Sequence, residues 1–389
     1  MAGRYAVASL LIALAAICSP SRSIASNCSA TSVGRTPLDD LGAGLYLGQF
    51  QGGLYPGGSN TVPASHAAEG RTRAAAVQPL DASGQPSESG RYVLLSLGMS
   101  NTTQEFCSQP STEPCNSWTF MGRAAAHPAV NHGALVIVNG ARGGQDASTW
   151  DDPRDSNYDF VRDSRLAPKG LIEAQVQVVW IKEANAGPTA SLPAANADAR
   201  NLEASLGNIV RAVHIRYANA KIVFLSSRIY AGYADTTLNP EPYAYESGFA
   251  VKWLVEAQIR QMAGGGIDPT AGDLDFGSAA PWLAWGPYLW ANGTTPRSDG
   301  LVWNCADLES DGTHPAQSGE AKVADRLLAF MLASPFAAPW FRASNAIPSL
   351  SHTGLALLAA ALLASASRLW RSPPRASESP PRRRSSRSR

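Results

Sequence analysis

Charge is scarce in this 389-residue chain: 16% of the residues are Asp, Glu, Lys or Arg, against 44% hydrophobic. That balance excludes a disordered polyelectrolyte and is ample for a large buried core. The net charge of +1 conceals an uneven distribution. The tail from Arg368 onward carries eight Arg and one Glu, a net +7, and Arg4 and Arg22 add +2, which leaves −8 on the body. An acidic body lacks the clustered Lys and Arg that phosphate contacts require, so nucleic acid is excluded as a partner. Internal repeats are absent. No His or Cys pair has zinc-ligand spacing. The loop "GGLYPGG" has neither a Gly-x-Gly-x-x-Gly spacing nor a following Lys-Ser or Lys-Thr, so it is a structural turn rather than a phosphate cradle. Cysteines number only five, and one of them, Cys18, falls in an N-terminal apolar run.

That run, Tyr5 to Cys18, follows Arg4 and precedes the small-residue stretch Ser23-Ile24-Ala25, the pattern of a cleaved secretory signal over residues 1–25. Bulky Ile17 disfavours lipidation at Cys18. Removal of the signal leaves Cys28, Cys107, Cys115 and Cys305, an even set in an oxidising compartment, so two disulfides are expected. Cys107 and Cys115 are close enough to clip one loop, and Cys28 with Cys305 would then tie the mature N-terminus to a late loop; sequence alone leaves the connectivity open. At the other end, Ile347-Pro348-Ser349-Leu350-Ser351 leads into an apolar stretch, Gly354 to Ser367, and then the arginine-rich tail. Together these approach the roughly 20 residues that span a bilayer, with positive charge placed to stay cytoplasmic. The arrangement resembles bacterial C-terminal sorting signals of the IPTL-CTERM and PEP-CTERM kind, with "IPSLS" at the signature position. A plain tail anchor is the other reading. Either attaches the body to a membrane from the outside.

Residues 26–90 are rich in Gly, Pro, Ser and Ala and read as a loop-rich N-terminal extension. From residue 91 short apolar runs alternate with segments of helical period. Tyr92 to Leu97, Ala134 to Asn139, Val176 to Ile181 and Ile222 to Leu225 are expected strands. Ala197 to Tyr217, Tyr243 to Met262 and Pro315 to Leu332 are expected helices. Strands that are nearly all apolar and alternate with helices imply a parallel sheet covered on both faces, with its ligand site outside the carboxyl ends of the strands.

The polar clusters fall at those ends. Gly98-Met99-Ser100-Asn101 follows the first strand, "NGARGGQD" (139–146) the second and Lys182-Glu183-Ala184-Asn185 the third, while Asp311-Gly312-Thr313-His314-Pro315 precedes the last helix. A serine nucleophile needs a base, and the base a group that fixes its tautomer. Asp311 and His314 sit three apart in one turn and suit the second requirement. Gly144 can bring a backbone N–H close to a developing oxyanion, Asn185 can donate through its amide, and Ser100 through its own N–H.

In this order the motifs resemble the SGNH or GDSL hydrolase superfamily over about residues 91–333. The resemblance implies a flavodoxin-like three-layer α/β/α sandwich with a mostly parallel sheet, and an esterase or lipase activity that needs no metal or organic cofactor. It assigns Ser100 as nucleophile, His314 as general base and acid, Asp311 as its orienting partner, and Ser100, Gly144 and Asn185 as oxyanion donors. Three departures stand out. Met99 replaces the Asp of the Gly-Asp-Ser motif, Ala184 the usual Gly before the asparagine, and Ala186 the Asp often found after it. The α/β-hydrolase elbow Gly-x-Ser-x-Gly fits less well, because residue 102 is Thr.

The expected layout is therefore a signal over 1–25, the extension over 26–90, a hydrolase domain over 91–340, and the hydrophobic segment with its Arg-rich tail over 346–389. Asn101, Gln145, Lys182, Trp285 and Trp290 are candidate substrate contacts. Lys182 and Glu183 equally suit a strand-end ion pair, and the cluster of Trp282, Trp285, Tyr288, Trp290 and Trp303 suits either a sugar-stacking or acyl-binding wall or the core of an irregular lobe. Asp151, Asp152, Asp155 and Asp159 read as a solvated loop rather than a Ca²⁺ site. No long apolar lid accompanies the domain, against a lipase. The expected partner is an ester-bearing substrate, an O-acetylated extracellular carbohydrate being the preferred class. The rival is a non-catalytic carbohydrate-binding or adhesive surface protein on the same fold.

Overall fold

The computed structural model describes residues 26–107 and 113–343; the expected signal and the C-terminal segment lie outside the described residues. Five strands form one parallel sheet: β1 (Tyr92–Gly98), β2 (Leu135–Asn139), β3 (Val176–Lys182), β4 (Ile222–Leu225) and β5 (Trp282–Trp285). The order across the sheet is β2-β1-β3-β4-β5, the flavodoxin-like arrangement, in which the direction of winding reverses beside β1. Every residue of β1, β3, β4 and β5 is buried. Helices therefore cover both faces.

The main helices are α1 (Ala64–Ala75), α2 (Ser100–Phe106), α3 (Phe120–Ala126), α4 (Asp198–Arg216), α5 (Tyr243–Met262) and α6 (Gln317–Ala333). Helix α4 packs on α5, whereas α2 and α3 pack on α6. The 26–90 segment holds more structure than its composition announces. Within it α1 lies against β4 and β5, its His66 Nε2 bonded 2.8 Å from the Leu283 carbonyl and its ring stacked on Trp282. Strand β5 was also hidden in the sequence, inside the aromatic cluster. Among the described residues no helix is long and apolar enough to cross a membrane.

Two disulfides pair Cys28 with Cys305 and Cys107 with Cys115. The first fastens the start of the described chain beside the loop that leads to Asp311. The acidic run after β2 is occupied by ion pairs: Asp152 with Arg154, and Asp159 with Arg162 and Arg216.

Helix α2 begins directly after β1, and Gly98 permits that junction. Its φ is +155°, and a Cβ there would lie 2.4 Å from the Lys182 carbonyl oxygen and 2.5 Å from Thr102 Oγ1. The helix is also fixed to β3 by side chains. Thr102 Oγ1 donates to the Lys182 carbonyl at 2.6 Å, and Lys182 Nζ bonds Glu105 Oε1 at 2.8 Å, both side chains fully buried. Burial pushes the Glu105 carboxyl up and the Lys182 ammonium down, and each charge opposes the shift of the other. Loss of one partner of such a pair strands a buried charge, whereas loss of both does not. Lys182→Met is therefore expected to cost about 3–5 kcal/mol of unfolding free energy in denaturant titration, and Lys182→Met/Glu105→Leu to recover most of it. A double variant as unstable as the single one would show that the pair does not act as a unit.

Candidate active site

The carboxyl ends of the strands surround a cavity of about 440 Å³. The loop after β1 gives it Met99, Ser100 and Asn101; the loop after β2, Gly144, Gln145 and Asp146; and the loop after β3, Ala184, Asn185 and Ala186. Arg228, from the loop after β4, lines it as well, with Leu238, Asn239, Thr313 and His314.

Ser100 is the first residue of α2, so its backbone N–H precedes the intrahelical hydrogen-bond ladder. Its Oγ lies 2.8 Å from His314 Nε2, and His314 Nδ1 lies 2.6 Å from Asp311 Oδ2. With the Nδ1 proton directed at the carboxylate, Nε2 presents its lone pair to the serine hydroxyl. Asp311 Oδ1 meanwhile accepts the backbone N–H groups of Thr313 at 2.9 Å and of His314 at 3.0 Å. Burial pushes the Asp311 carboxyl up, but the imidazole and these two N–H groups outweigh it and hold the carboxyl below its usual range. The carboxylate remains charged and turned toward the imidazole.

The turn that carries Asp311 and His314 is anchored on two sides. Asn101 Nδ2 donates to the Thr313 carbonyl at 3.0 Å, and Thr313 Oγ1 bonds Thr236 Oγ1 at 2.7 Å. Gly312, at φ +65°, packs so closely on the 230s loop that a Cβ would fall 2.1 Å from the Tyr233 carbonyl oxygen. Asn101 thus lines the cavity while its amide holds the histidine turn.

On the opposite wall Gly144 adopts φ +75°, with nothing within 4 Å of where its Cβ would stand. Asn185 Nδ2 donates to Asp198 Oδ1 at 2.9 Å, and Asn239 Nδ2 reaches the Asn185 carbonyl at 3.3 Å and Asp198 Oδ2 at 3.4 Å. Asp198, the first residue of α4, therefore orients the Asn185 amide. Burial pushes its carboxyl up against the opposing effect of the Asn185 and Asn239 bonds. Asp146 Oδ2 accepts the Ala186 N–H at 3.1 Å and joins the loops after β2 and β3. Gln145 lines the cavity with its Oε1 3.1 Å from Asn157 Nδ2.

Three of the sequence candidates sit elsewhere. Lys182 is sealed beneath α2 on Glu105 and has no exposed surface to offer a ligand; the ion-pair alternative describes it, with Glu105 rather than Glu183 as partner. Trp285 belongs to β5 and packs against Tyr288. Trp290 donates Nε1 to Glu241 at 2.7 Å and packs edge-on against Tyr245. These indoles, with Trp282 and Trp303, are core residues, and none lines the cavity. Sequence reading missed Asp198, Asn239 and Arg228. The replacement of an expected Asp by Ala186 was the signal that Asn185 needs a carboxylate from elsewhere; Arg228 gave none, since it lies in no motif.

No family profile and no curated protein sequence matches this chain. Among solved structures, it is similar to an extracellular lipase from Streptomyces rimosus at 14% identity, with 61% of this chain and 99% of that one covered and a TM-score of 0.31. A salicylyl-acyltransferase from a tetracycline biosynthetic pathway aligns at 14% identity over 65% of this chain and 58% of that one, TM-score 0.32. A carbohydrate esterase family 2 enzyme with a carbohydrate-binding domain, from Corynascus thermopiles (Myceliophthora fergusii), aligns at 12% identity over 62% and 67%, TM-score 0.33.

Proposed function

We propose that the chain is an exported serine ester hydrolase of SGNH type. The observation that carries this reading is the continuous relay from Asp311 through His314 to Ser100, at 2.6 and 2.8 Å, opening into a cavity. Geometry of this kind activates a hydroxyl that is otherwise a weak nucleophile. A non-catalytic binding protein has no need of it.

Ser100 Oγ attacks the ester carbonyl carbon as its proton passes to His314 Nε2. The carbonyl oxygen becomes an oxyanion, held by the N–H groups of Ser100 and Gly144 and by the Asn185 amide hydrogen that Asp198 leaves available. Collapse expels the alkoxide, which takes the proton from His314 and departs as alcohol, leaving the acyl group on Ser100. Water then attacks that acyl-enzyme, again giving its proton to His314, and the acid is released as Ser100 recovers its hydroxyl. Asp311 remains ionised throughout and stabilises the imidazolium.

Export is supported by the leader-like residues 1–25 and by the two disulfides, which persist in oxidising compartments. The apolar segment and Arg-rich tail support attachment to a membrane. An O-acetylated carbohydrate remains a substrate class compatible with the cavity. The tryptophans that favoured sugar lie in the core, however, and do not support that choice.

Purified full chain is expected to hydrolyse 4-nitrophenyl acetate, with Ser100→Ala and His314→Ala each lowering kcat by about 10³-fold or more. Equal rates in all three proteins would refute the esterase reading. Asn185→Ala is expected to lower kcat by about 10²–10³-fold with little change in KM, since it removes a donor used chiefly in the transition state. Asp198→Ala, which frees the Asn185 amide to rotate, is expected to lower kcat by about 10-fold or more, again at nearly constant KM. A rise in KM at constant kcat in the Asp198 variant would instead make this carboxylate a substrate contact.

A further inference from the structure

The cavity contains a cation that the hydrolytic steps do not use. Arg228 is 1% exposed, yet its guanidinium is poorly satisfied. Nη1 lies 3.9 Å from the Met99 sulfur, Nη2 lies 3.5 Å from the Leu238 carbonyl oxygen, and Nε has no partner. A thioether is a weak acceptor and 3.5 Å is a long contact, while a guanidinium offers five N–H donors. Met99 and Leu238 both line the cavity, as does Arg228. The guanidinium end is thus placed at the cavity wall, beside the residue that precedes Ser100.

Among the described residues no acid forms an ion pair with Arg228. Glu105, Glu241 and Asp311 act on it from longer range, and each is engaged elsewhere. Glu105 binds Lys182, Glu241 accepts Trp290 Nε1 and the backbone N–H groups of Ala231 and Tyr245, and Asp311 holds His314. A buried guanidinium with donors left over is strongly unfavourable unless an anion completes it. Its fixed fork matches the two oxygens of a carboxylate.

We infer that Arg228 anchors a carboxylate carried by the ester substrate, so that this cavity selects monoanionic esters over neutral ones. The inference rests on the esterase reading above. A monoanion fits better than a phosphate dianion, because among the described residues Arg228 is the only Arg or Lys lining the cavity and Asp146 brings an acid to the same cavity. With the carboxylate on Arg228 and the ester carbonyl at Ser100, the substrate is held at two points. Remote binding of this kind orients the reacting carbon.

The test compares kcat/KM of the full chain for 4-nitrophenyl acetate, for 4-nitrophenyl hemisuccinate, which carries its carboxylate on the acyl side, and for 4-acetoxybenzoate, which carries it on the alcohol side. At least one anionic ester should be preferred over its neutral counterpart, phenyl acetate for the last, by about 10-fold or more, and the arm that shows it locates the carboxylate. Arg228→Gln should collapse that ratio toward one, and Arg228→Lys should retain part of it. No anionic preference in the wild-type protein would overturn the inference without need of any variant. So would a preference that survives Arg228→Gln, or an equal loss on all esters, which is the signature of a guanidinium acting only through Asp311. If the wild-type protein cleaves none of these esters, the esterase reading fails separately. Calorimetry of both anionic esters with Ser100→Ala and with Ser100→Ala/Arg228→Gln then decides, since equal affinity, or no binding to either protein, overturns the carboxylate anchor and an affinity loss of about 10-fold sustains it.

Discussion

The site depends on one long-range constraint: the start of α2 and the turn before α6, more than two hundred residues apart in the chain, must meet. The amide of Asn101 on the Thr313 carbonyl, at a separation of 212 residues, states that constraint in a single hydrogen bond. The packing of α2 on α6 supports it over a larger surface. Beneath them the Glu105–Lys182 pair fixes α2 to β3, and Gly98 lets the chain pass from strand to helix without a clash. A displacement of either partner by an ångström would break the 2.8 Å contact between Ser100 and His314. Much of the buried polar chemistry near the site therefore holds it in place rather than reacting.

What the sequence revealed and what it concealed follow from the contrast each element presents. Strands β1 to β4 are mostly apolar runs, and α4 and α5 have long periodic faces, so both kinds stand out from their flanks. Helix α1 does not, because its buried face is His66, Ala67, Gly70 and Ala74. Small residues suit it: a Cβ on Gly70 would lie 2.3 Å from the Trp282 ring. Strand β5 is only four residues long and half of it is tryptophan, which made a core strand look like an aromatic wall. In the candidate site, Asp311 and His314 were legible because they share one short turn, and Ser100 was legible only through the order of the motifs that follow it. Asp198, Asn239 and Arg228 were not, since each belongs to an element whose sequence carries no motif.

Among the described residues the electrostatics of the cavity divide into satisfied acids and one poorly satisfied cation, Arg228. Asp311 receives three hydrogen bonds and stays charged. Asp146 is spent on joining the loops after β2 and β3, accepting from Ala186 and from Ser148. Asp198 is spent on Asn185 and Asn239. These carboxylates position backbone and amide donors, and their hydrogen bonds offset the cost of their burial.

Two of the three residues that depart from the resembled pattern, Met99 beside the nucleophile and Ala186 after the asparagine, have opposite consequences. Where Ala186 stands in place of an acid, the fold supplies carboxylates from elsewhere: Asp198 orients the Asn185 side chain, and Asp146 receives the Ala186 N–H. That departure is neutralised in space. Where Met99 stands in place of an acid, nothing comparable arrives, and its sulfur faces the Arg228 guanidinium across 3.9 Å. A carboxylate at that position would have occupied Arg228; a thioether leaves it unsatisfied at the cavity wall. The same type of substitution is thus compensated at one site and leaves a cation without an acid partner at the other. What separates the two cases is whether the surrounding fold can deliver a second carboxylate.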